Sequence, residues 1–580
     1  MIEAGRIGRG AREAMATATK VFVLGLDGAT WDILGPLAEA GELPNLSRVR
    51  ARGASGTLRS IFPPLSPVAW TGVMTGKNPG KHGIFEFLEF GHDPLGGRVN
   101  TSRSIDSALL WEVAARYGRK TTAGAVPMSY PPRKTPGLNF LGDFLAPPNA
   151  RDFTSDPELF AELERHLGEP YRPWDVSVHD GGREPEALAG LTSFLDHHLR
   201  AVRFLMDARP WDLFVYDLMA TDRIQHELWH AWEPSHRVAR GRDLSKVRDG
   251  FVAFWKRLDE GIGEIEAALP ADATLVLMSD HGFGPVEHFV NFNVWLLDRG
   301  YITLIDTPYV RQKHWFFRRG VTLEWIYRIM ARLGQAKHRV SRFGGSQDNR
   351  LDQMAESLFL SRRHIDWSKT RAYAQGNFGQ IFVNKQGRQP NGCVRPEDVR
   401  PLLDDLKAEL AGLTHPETGG PLVDRVYEAE ELYQGPNAHL APDLTVVLGD
   451  WRYRTIGLHD FTTHKVISPA FGPTGDHRME GVFLASGPTI RPGSSLGPDA
   501  TLLDIAPTVL RLLGVPAPDD LDGRPLLEVL DPSSLPDLDE PIAPPDPGDA
   551  DGPPGGGSDD APDPEDDEAV KQRLAELGYL

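Results

Sequence analysis

Seven polar side chains stand where the sequence predicts the ends of buried strands or the beginning of a helix. They are Asp27, Ser66, Asp222, His226, Asp280, His281 and His477. Three carboxylates, three imidazoles and a hydroxyl supply enough oxygen and nitrogen ligands for two divalent ions without cysteine. Two ions about 3.5–4 Å apart stabilise the attacking and leaving oxygens of phosphoryl transfer. The set therefore predicts chemistry on phosphate esters.

Ser66 lies in the segment FPPLSPVAWTGVMTG, directly before a proline. Serine is a favoured helix cap and proline a favoured first helical residue, so we predict a short helix that Ser66 caps and Gly76 ends. The backbone N–H groups and the dipole at a helix N-terminus favour negative charge. A serine alkoxide or a phosphate oxygen at this position would be stabilised.

Short continuous apolar runs that could form buried strands recur along the chain. They cover residues 21–27, 213–218, 274–280, 444–449 and 481–487, and helical patterns such as 157–167 and 190–207 lie between them. This alternation predicts an α/β fold with a largely parallel central sheet flanked by helices. Chemistry gathers at the carboxyl ends of strands in such sheets. Segments around 95–150 and 300–440 do not follow this alternation of strands and helices. We expect them to be cap segments inserted into a catalytic domain over 20–530.

Composition excludes several classes of protein. The 580 residues carry a net charge of −19, which argues against nucleic acid as a partner. Cys393 stands alone, so an intramolecular disulfide and a cysteine zinc site are both excluded. No window reaches the roughly 18 apolar residues of a membrane span and no signal peptide is recognised, so we expect a cytoplasmic protein.

The two ends of the chain differ from its body. Residues 1–19 are mixed in composition and are predicted to be a disordered extension. Residues 531–566 are rich in Pro, Gly and acids and predict a solvated linker. Residues 567–580 repeat Val570, Leu574 and Leu577 on one face, which predicts a short amphipathic helix.

Residues 311–342 are basic and interleaved with aromatic side chains. A cap over the active site, a helix that transiently contacts a membrane surface, and a plain exposed helix all fit this composition. The three interpretations remain open from the sequence.

Around the serine, Thr75-Gly76, Pro79 and His82-Gly83 form a signature, and DIAPTVLRLLGV with LDGRPL follows near the end. With the seven polar residues, these motifs resemble the alkaline phosphatase superfamily in its type I phosphodiesterase/nucleotide pyrophosphatase branch. The resemblance places the nucleophile nine residues before Thr75, at Ser66.

The resemblance also implies how the other residues divide between two divalent ions. Asp222, His226 and His477 would hold one ion. Asp27, Asp280, His281 and the Ser66 oxygen would hold the second. Zinc suits such Asp/His sets, and manganese suits the carboxylate-rich one.

The implied function is hydrolysis of phosphate esters through a phosphoserine, on a small-molecule or lipid-like substrate. Alternatives are a phosphomutase or phosphotransferase, a phosphomonoesterase, and a metal-stabilised binding protein without turnover. A sulfatase is disfavoured because its x-Pro-x-Arg pattern is missing after Ser66. The neighbours of Ser66, Leu65, Pro67, Val68 and Trp70, are apolar. They could contact the second organic group of a diester but could not compensate the extra charge of a monoester, so we expect diesters to be preferred.

Overall fold

A computed structural model describes residues 19–577 except 90–96, 148–149, 151, 175–183, 323, 326–358, 416–417, 458–460, 471 and 536–563. Its strands are β1 (Lys20–Gly25), β2 (Ala54–Arg59), β3 (Leu88–Glu89), β4 (Arg98–Val99), β5 (Thr121–Gly124), β6 (Leu138–Leu141), β7 (Leu213–Asp217), β8 (Ala273–Met278), β9 (Gly282–Pro285), β10 (His288–Val290), β11 (Ala372–Ala374), β12 (Gln380–Val383), β13 (Val423–Glu428), β14 (Leu444–Leu448), β15 (Tyr453–Thr455), β16 (Ile467–Pro469), β17 (Gly475–Arg478), β18 (Glu480–Ser486) and β19 (Ser494–Ser495).

Helices cover both the sheet and the segments between strands. They are α1 (Trp31–Glu39), α2 (Pro44–Arg52), α3 (Ser66–Thr75), α4 (Pro79–His82), α5 (Leu110–Arg116), α6 (Pro157–Leu167), α7 (Glu184–Ala208), α8 (Ala220–Trp232), α9 (Ser245–Ala268), α10 (Phe292–Asp298), α11 (Pro308–Arg318), α12 (Pro396–Leu410), α13 (Ala429–Leu432), α14 (Ile505–Leu512) and α15 (Pro564–Leu577).

An eight-stranded sheet with the order β19-β2-β18-β8-β1-β7-β5-β6 forms the centre of the molecule. Its strands β8, β1, β7, β5 and β6 are parallel neighbours, and β18 is antiparallel to both β2 and β8. Strand β1 reads VFVLG after Lys20 and is buried, as expected for a strand covered by helices on both faces. The predicted α/β fold with a largely parallel sheet is confirmed.

Two segments belong to other parts of the fold than the sequence predicted. Strands β5 and β6, inside the supposed insertion at 95–150, form one edge of the central sheet. Strand β14, expected in the central sheet, instead pairs with β12 and β13 in a separate four-stranded sheet. This second sheet packs with α10 and α12 around a second hydrophobic core, built from residues 290–317 and 360–461.

The C-terminal helix α15 packs on the body of the protein. Val570 and Leu574 are buried in the main core. Arg573 donates to the carbonyl oxygens of Phe144 and Ala146 at 3.0 and 2.7 Å and lies 3.8 Å from the ring centre of Trp174. The described residues do not include the extension over 1–18, the linker over 536–563 or the part of the basic segment beyond 325. The side chain of Leu577, at the end of α15, is not described either, so its predicted contact stays a prediction. Among the described residues, no helix is long and apolar enough to cross a membrane.

Candidate active site

The carboxyl ends of three adjacent parallel strands place acidic side chains at one edge of the sheet. Gly25, at the end of β1, pairs with Asp217 on β7 and with Met278 on β8. Asp27 follows β1 by two residues, and Asp280 follows β8 by two residues, so both reach the same edge. Asp27, Asp217 and Asp280 are completely buried.

A first group of potential metal ligands consists of Asp222, His226 and His477. On α8, Asp222 and His226 lie one turn apart, and Asp222 Oδ1 is 3.4 Å from His226 Nε2. Asp222 Oδ1 is also 3.3 Å from His477 Nε2, and the two imidazole Nε2 atoms lie 3.0 Å apart.

The Nδ1 atoms of these two histidines are held by backbone carbonyls. His226 Nδ1 donates to Gly475 O at 2.9 Å, and His477 Nδ1 donates to Pro64 O at 2.7 Å. With Nδ1 carrying the proton, each Nε2 has its lone pair directed toward the centre of the group. Carbonyls in this position are a common means of orienting metal-binding histidines.

A second group consists of Asp27, Asp280, His281 and Ser66. His281 Nε2 lies 3.5 Å from Asp27 Oδ1, 3.4 Å from Asp280 Oδ2 and 3.4 Å from Ser66 Oγ. The His281 ring stacks on the His477 ring with centroids 3.7 Å apart, so the two groups are adjacent. The antiparallel pairing of β17 with β9 brings His477 to this place. The structure thus gathers all seven residues predicted for the site.

Ser66 differs from the prediction in one respect. It is the first residue of α3, and Leu65 occupies the cap position without a capping side chain. The Ser66 hydroxyl is therefore not used to cap the helix. As predicted, the helix ends at Gly76, whose left-handed φ of 67° suits glycine.

The charges at the site are poorly compensated by the protein itself. Burial and the neighbouring carboxylates of Asp280, Asp217 and Asp222 raise the pKa of Asp27 well above its ordinary value. Burial raises the pKa of Asp280 to about 7, although His477 and the Gly28 N–H lower it. Among the described residues, Asp27 Oδ1 and Asp280 Oδ2 are buried without a hydrogen-bond donor.

In the group of Asp222, His226 and His477, by contrast, the two imidazoles favour the charged carboxylate. Burial would raise the pKa of Asp222, but His226 and His477 lower it well below its ordinary value. Buried carboxylates are stable only when paired or bound to a metal. Carboxylate oxygens without donors beside imidazole nitrogens therefore fit divalent cations, and the residues present suit the ions that the resemblance implies.

The sequence did not identify several residues near this site. Asp476 accepts the His477 N–H at 3.0 Å and lies 3.5 Å from Arg454 Nε. Asp217 is the last residue of β7, and Phe378, from the second core, places its ring centre 5.6 Å from that of His477. Two features of the sequence could have identified the acidic residues. Asp476 directly precedes His477, and Asp217 ends a predicted buried strand. Nothing in the sequence pointed to Arg454 or Phe378.

The apolar neighbours of Ser66 do not form the substrate wall that the sequence suggested. Val68 and Trp70 have no exposed surface and belong to the main core. Trp70 Nε1 instead donates to Asp27 Oδ2 at 3.1 Å. Because α3 is buried on all sides, these side chains stabilise the sheet and orient Asp27.

The sequence matches the family described as type I phosphodiesterase / nucleotide pyrophosphatase over residues 21–458. The chain belongs to this family. Membership confirms the resemblance to the alkaline phosphatase superfamily and identifies the protein as a phosphoester hydrolase. It also favours an enzyme over a binding protein without turnover.

Two kinds of solved structure are similar to this chain at low sequence identity. Phosphonoacetate hydrolase from Sinorhizobium meliloti 1021, in complex with phosphonoformate, is similar with a TM-score of 0.51 and 14% identity, covering 86% of this chain and 96% of that chain. Murine ectonucleotide pyrophosphatase / phosphodiesterase 5, in complex with AMP, has a TM-score of 0.47 and 15% identity, covering 88% and 100%. No curated protein matches the sequence.

Proposed function

We propose that this family member hydrolyses phosphodiesters with two divalent ions and with Ser66 as the nucleophile. The observation that carries the proposal is the position of Ser66 Oγ, 3.4 Å from His281 Nε2, whose ring stacks on that of His477 in the other ligand group. A hydroxyl that caps no helix, next to carboxylates without donors, is placed for attack on a bound phosphorus.

Each ligand group has its own part in the proposal. Asp222, His226 and His477 would hold one ion, and Asp27, Asp280 and His281 would hold the other with Ser66 Oγ. When bound, the ions would supply positive charge for the equatorial phosphate oxygens and favour the serine alkoxide. Zinc fits the group with two imidazoles, and manganese is the alternative for the carboxylate-rich group.

The reaction would proceed in two displacements. Ser66 Oγ forms a bond to phosphorus while the bond from phosphorus to the leaving alcohol oxygen breaks. Water then attacks the phosphoserine, the Ser66 Oγ–phosphorus bond breaks, and the phosphate monoester is released. The N-terminus of α3 adds backbone N–H groups near the developing negative charge.

The surroundings favour diesters over monoesters. A monoester is a dianion that requires more compensating charge than a diester, and Asp217 adds another buried carboxyl next to Asp27. Phe378 provides an apolar surface beside His477 for a second organic group. We therefore expect bis-p-nitrophenyl phosphate to be a better substrate than p-nitrophenyl phosphate.

Ser66→Ala tests the nucleophile. We expect kcat for bis-p-nitrophenyl phosphate to fall by at least about 1,000-fold, or about 4 kcal/mol. Mass spectrometry of the quenched wild-type reaction should find a p-nitrophenyl phosphoryl group on Ser66, because only one p-nitrophenolate leaves in the first displacement. Thr71→Val is the matched control, because Thr71 Oγ1 already donates to Pro67 O at 2.6 Å and is committed to the helix.

Two results would contradict the proposal. Ser66→Ala protein that keeps more than a tenth of the wild-type activity would exclude Ser66 as the nucleophile. Phosphate transferred to an added alcohol in preference to water would favour a phosphotransferase instead.

A further inference from the structure

A small cavity of about 70 Å³ lies between the segment that follows the Ser66 helix and the second core. One wall is formed by residues 83–89 and 100, and the other by residues 373–389 and 440–442. Junctions between two cores are common places for small-molecule sites.

Glu86 and Gln375 each have a polar side-chain atom at this cavity that lacks a hydrogen-bond partner among the described residues. Glu86 Oε1 and Gln375 Nε2 are both buried without a hydrogen bond. Glu86 is 4% exposed and Gln375 is 2% exposed. An unsatisfied buried polar group destabilises the protein, so a ligand that bonds to it gains a corresponding advantage.

Other polar groups at the cavity already have partners: Arg388 forms an ion pair with Asp443, and Asn100 donates to the carbonyl oxygen of Glu86. Gln380 Nε2 donates to Glu86 Oε2 at 3.4 Å, and Gln389 Nε2 donates to Tyr373 Oη at 3.3 Å. Phe85, Leu88, Phe382 and Leu440 contribute apolar surface. Glu86 Oε1 and Gln375 Nε2 therefore offer one carboxyl oxygen and one amide N–H group to a bound ligand.

Gln380 connects the cavity to the proposed reaction centre. Its Oε1 accepts the Phe378 N–H at 3.2 Å, and the Phe378 ring lies beside His477. Gly376, with a φ of 82°, permits this turn, because a Cβ there would overlap the Gln380 amide oxygen. A group bound in the cavity is thus one side chain away from the ligand residues.

We propose that the cavity binds the hydroxyl-bearing alcohol of the phosphodiester, a polyol of about the size of glycerol. A hydroxyl can donate to Glu86 Oε1 and accept from Gln375 Nε2, whereas a phosphate or carboxylate would meet the Glu86 carboxyl. A water-sized group needs about 10–15 Å³ of such volume, so the cavity holds about five to seven heavy atoms. This inference rests on the proposed diesterase function and specifies its substrate.

The test compares two diesters with the same leaving group, glyceryl p-nitrophenyl phosphate and n-propyl p-nitrophenyl phosphate. They differ in two hydroxyl groups. We expect the wild-type enzyme to prefer the glyceryl ester by at least tenfold in kcat/KM. Glu86→Met and Gln375→Met keep the side-chain length but remove the hydrogen bond, and each should reduce this ratio to within threefold of unity.

Controls separate recognition from folding. Gln386→Met and Glu430→Met make the same replacements at exposed positions and should keep the wild-type ratio. Gln375→Met removes a buried group without a partner, so its melting temperature should equal or exceed that of the wild type.

The outcomes are distinguishable. Equal turnover of both esters by the wild type would overturn the inference and leave the diesterase proposal standing. A glyceryl preference that survives both cavity variants would also overturn it, because the preference would then arise elsewhere. Turnover of neither ester by metal-loaded wild-type protein would overturn the diesterase proposal and, with it, this inference.

Discussion

Replacing Asp280 by asparagine is expected to stabilise the metal-free protein increasingly as the pH rises. Burial raises the pKa of Asp280 to about 7, whereas its ordinary value is 3.8. Between these values the folded state keeps a proton that the unfolded state has released. Asp280 therefore contributes stability at low pH that is lost as the pH rises through about 7. The side-chain amide of the Asp280→Asn variant does not titrate, so the variant does not undergo this loss.

The expected size of the effect follows from the shift. Each pH unit between the two pKa values changes stability by about 1.4 kcal/mol, so Asp280 accounts for about 3 kcal/mol between pH 5 and 8.

The assay is thermal unfolding at pH 5 to 8 of wild type, Asp280→Asn and the exposed control Asp272→Asn, all in chelator. Burial lowers the pKa of His226 and of His281, but this effect on stability is common to the three proteins and cancels in the difference. We expect the difference in melting temperature between Asp280→Asn and wild type to grow by about 5 °C from pH 5 to pH 8. A change of 1 kcal/mol corresponds to about 2–4 °C in domains of 150–250 residues and to less in larger ones.

Excess zinc or manganese should reverse the order of wild type and Asp280→Asn. A bound cation stabilises the wild-type carboxylate and binds less well to the amide. A pH-independent difference between the two metal-free proteins would refute the reasoning, as would an equal rise in Asp272→Asn. Wild-type protein that keeps full activity without bound metal would exclude the two-ion proposal itself.

Three further predictions concern the substrate and the periphery. Metal-loaded enzyme should favour bis-p-nitrophenyl phosphate over p-nitrophenyl phosphate in kcat/KM, and a tenfold monoester preference would reject the diesterase assignment. Leu574→Ala should cost about 2–5 kcal/mol of helix docking, so amides of 564–577 should exchange faster while activity is kept; unchanged exchange would show that Leu574 does not hold the helix. Trp315 and Phe316, which are 50% and 41% exposed beside Arg319, should bind vesicles of anionic phospholipid, and their double alanine variant should sediment less; wild-type protein that stays in the supernatant would exclude this contact.

The site could be predicted because its residues follow recognisable local patterns. Asp27 and Asp280 end apolar strands, and Asp222 and His226 share a helical face, so short stretches of sequence place them correctly. His477 required more than local pattern, since the pairing of β17 with β9 brings it to His281. That pairing joins segments nearly two hundred residues apart, and no local pattern in the sequence predicted it.

The fold was predicted less well where apolar runs are short or ambiguous. Strands β5 and β6 have the sequences TTAG and LNFL. Four residues of mixed polarity are too few to predict a buried strand. Strand β14, LTVVL, is buried as its composition suggests. An apolar run shows that a strand is covered but not which core covers it, and β14 belongs to the second core. The cap position of Ser66 was wrong by one residue because Leu65 takes it.

The residues proposed for catalysis and the residues proposed for substrate recognition lie in different parts of the fold. The potential ligands and Ser66 come from segments at the edge of the central sheet. By contrast, Phe378, Gln380 and Gln375 lie on the turn from β11 to β12, beside His477 and Glu86. Replacing side chains of this turn can alter the alcohol group that fits while the carboxylates keep their backbone supports. Under the proposed function, substitutions within residues 372–389 would therefore change substrate choice while leaving the residues around Ser66 in place.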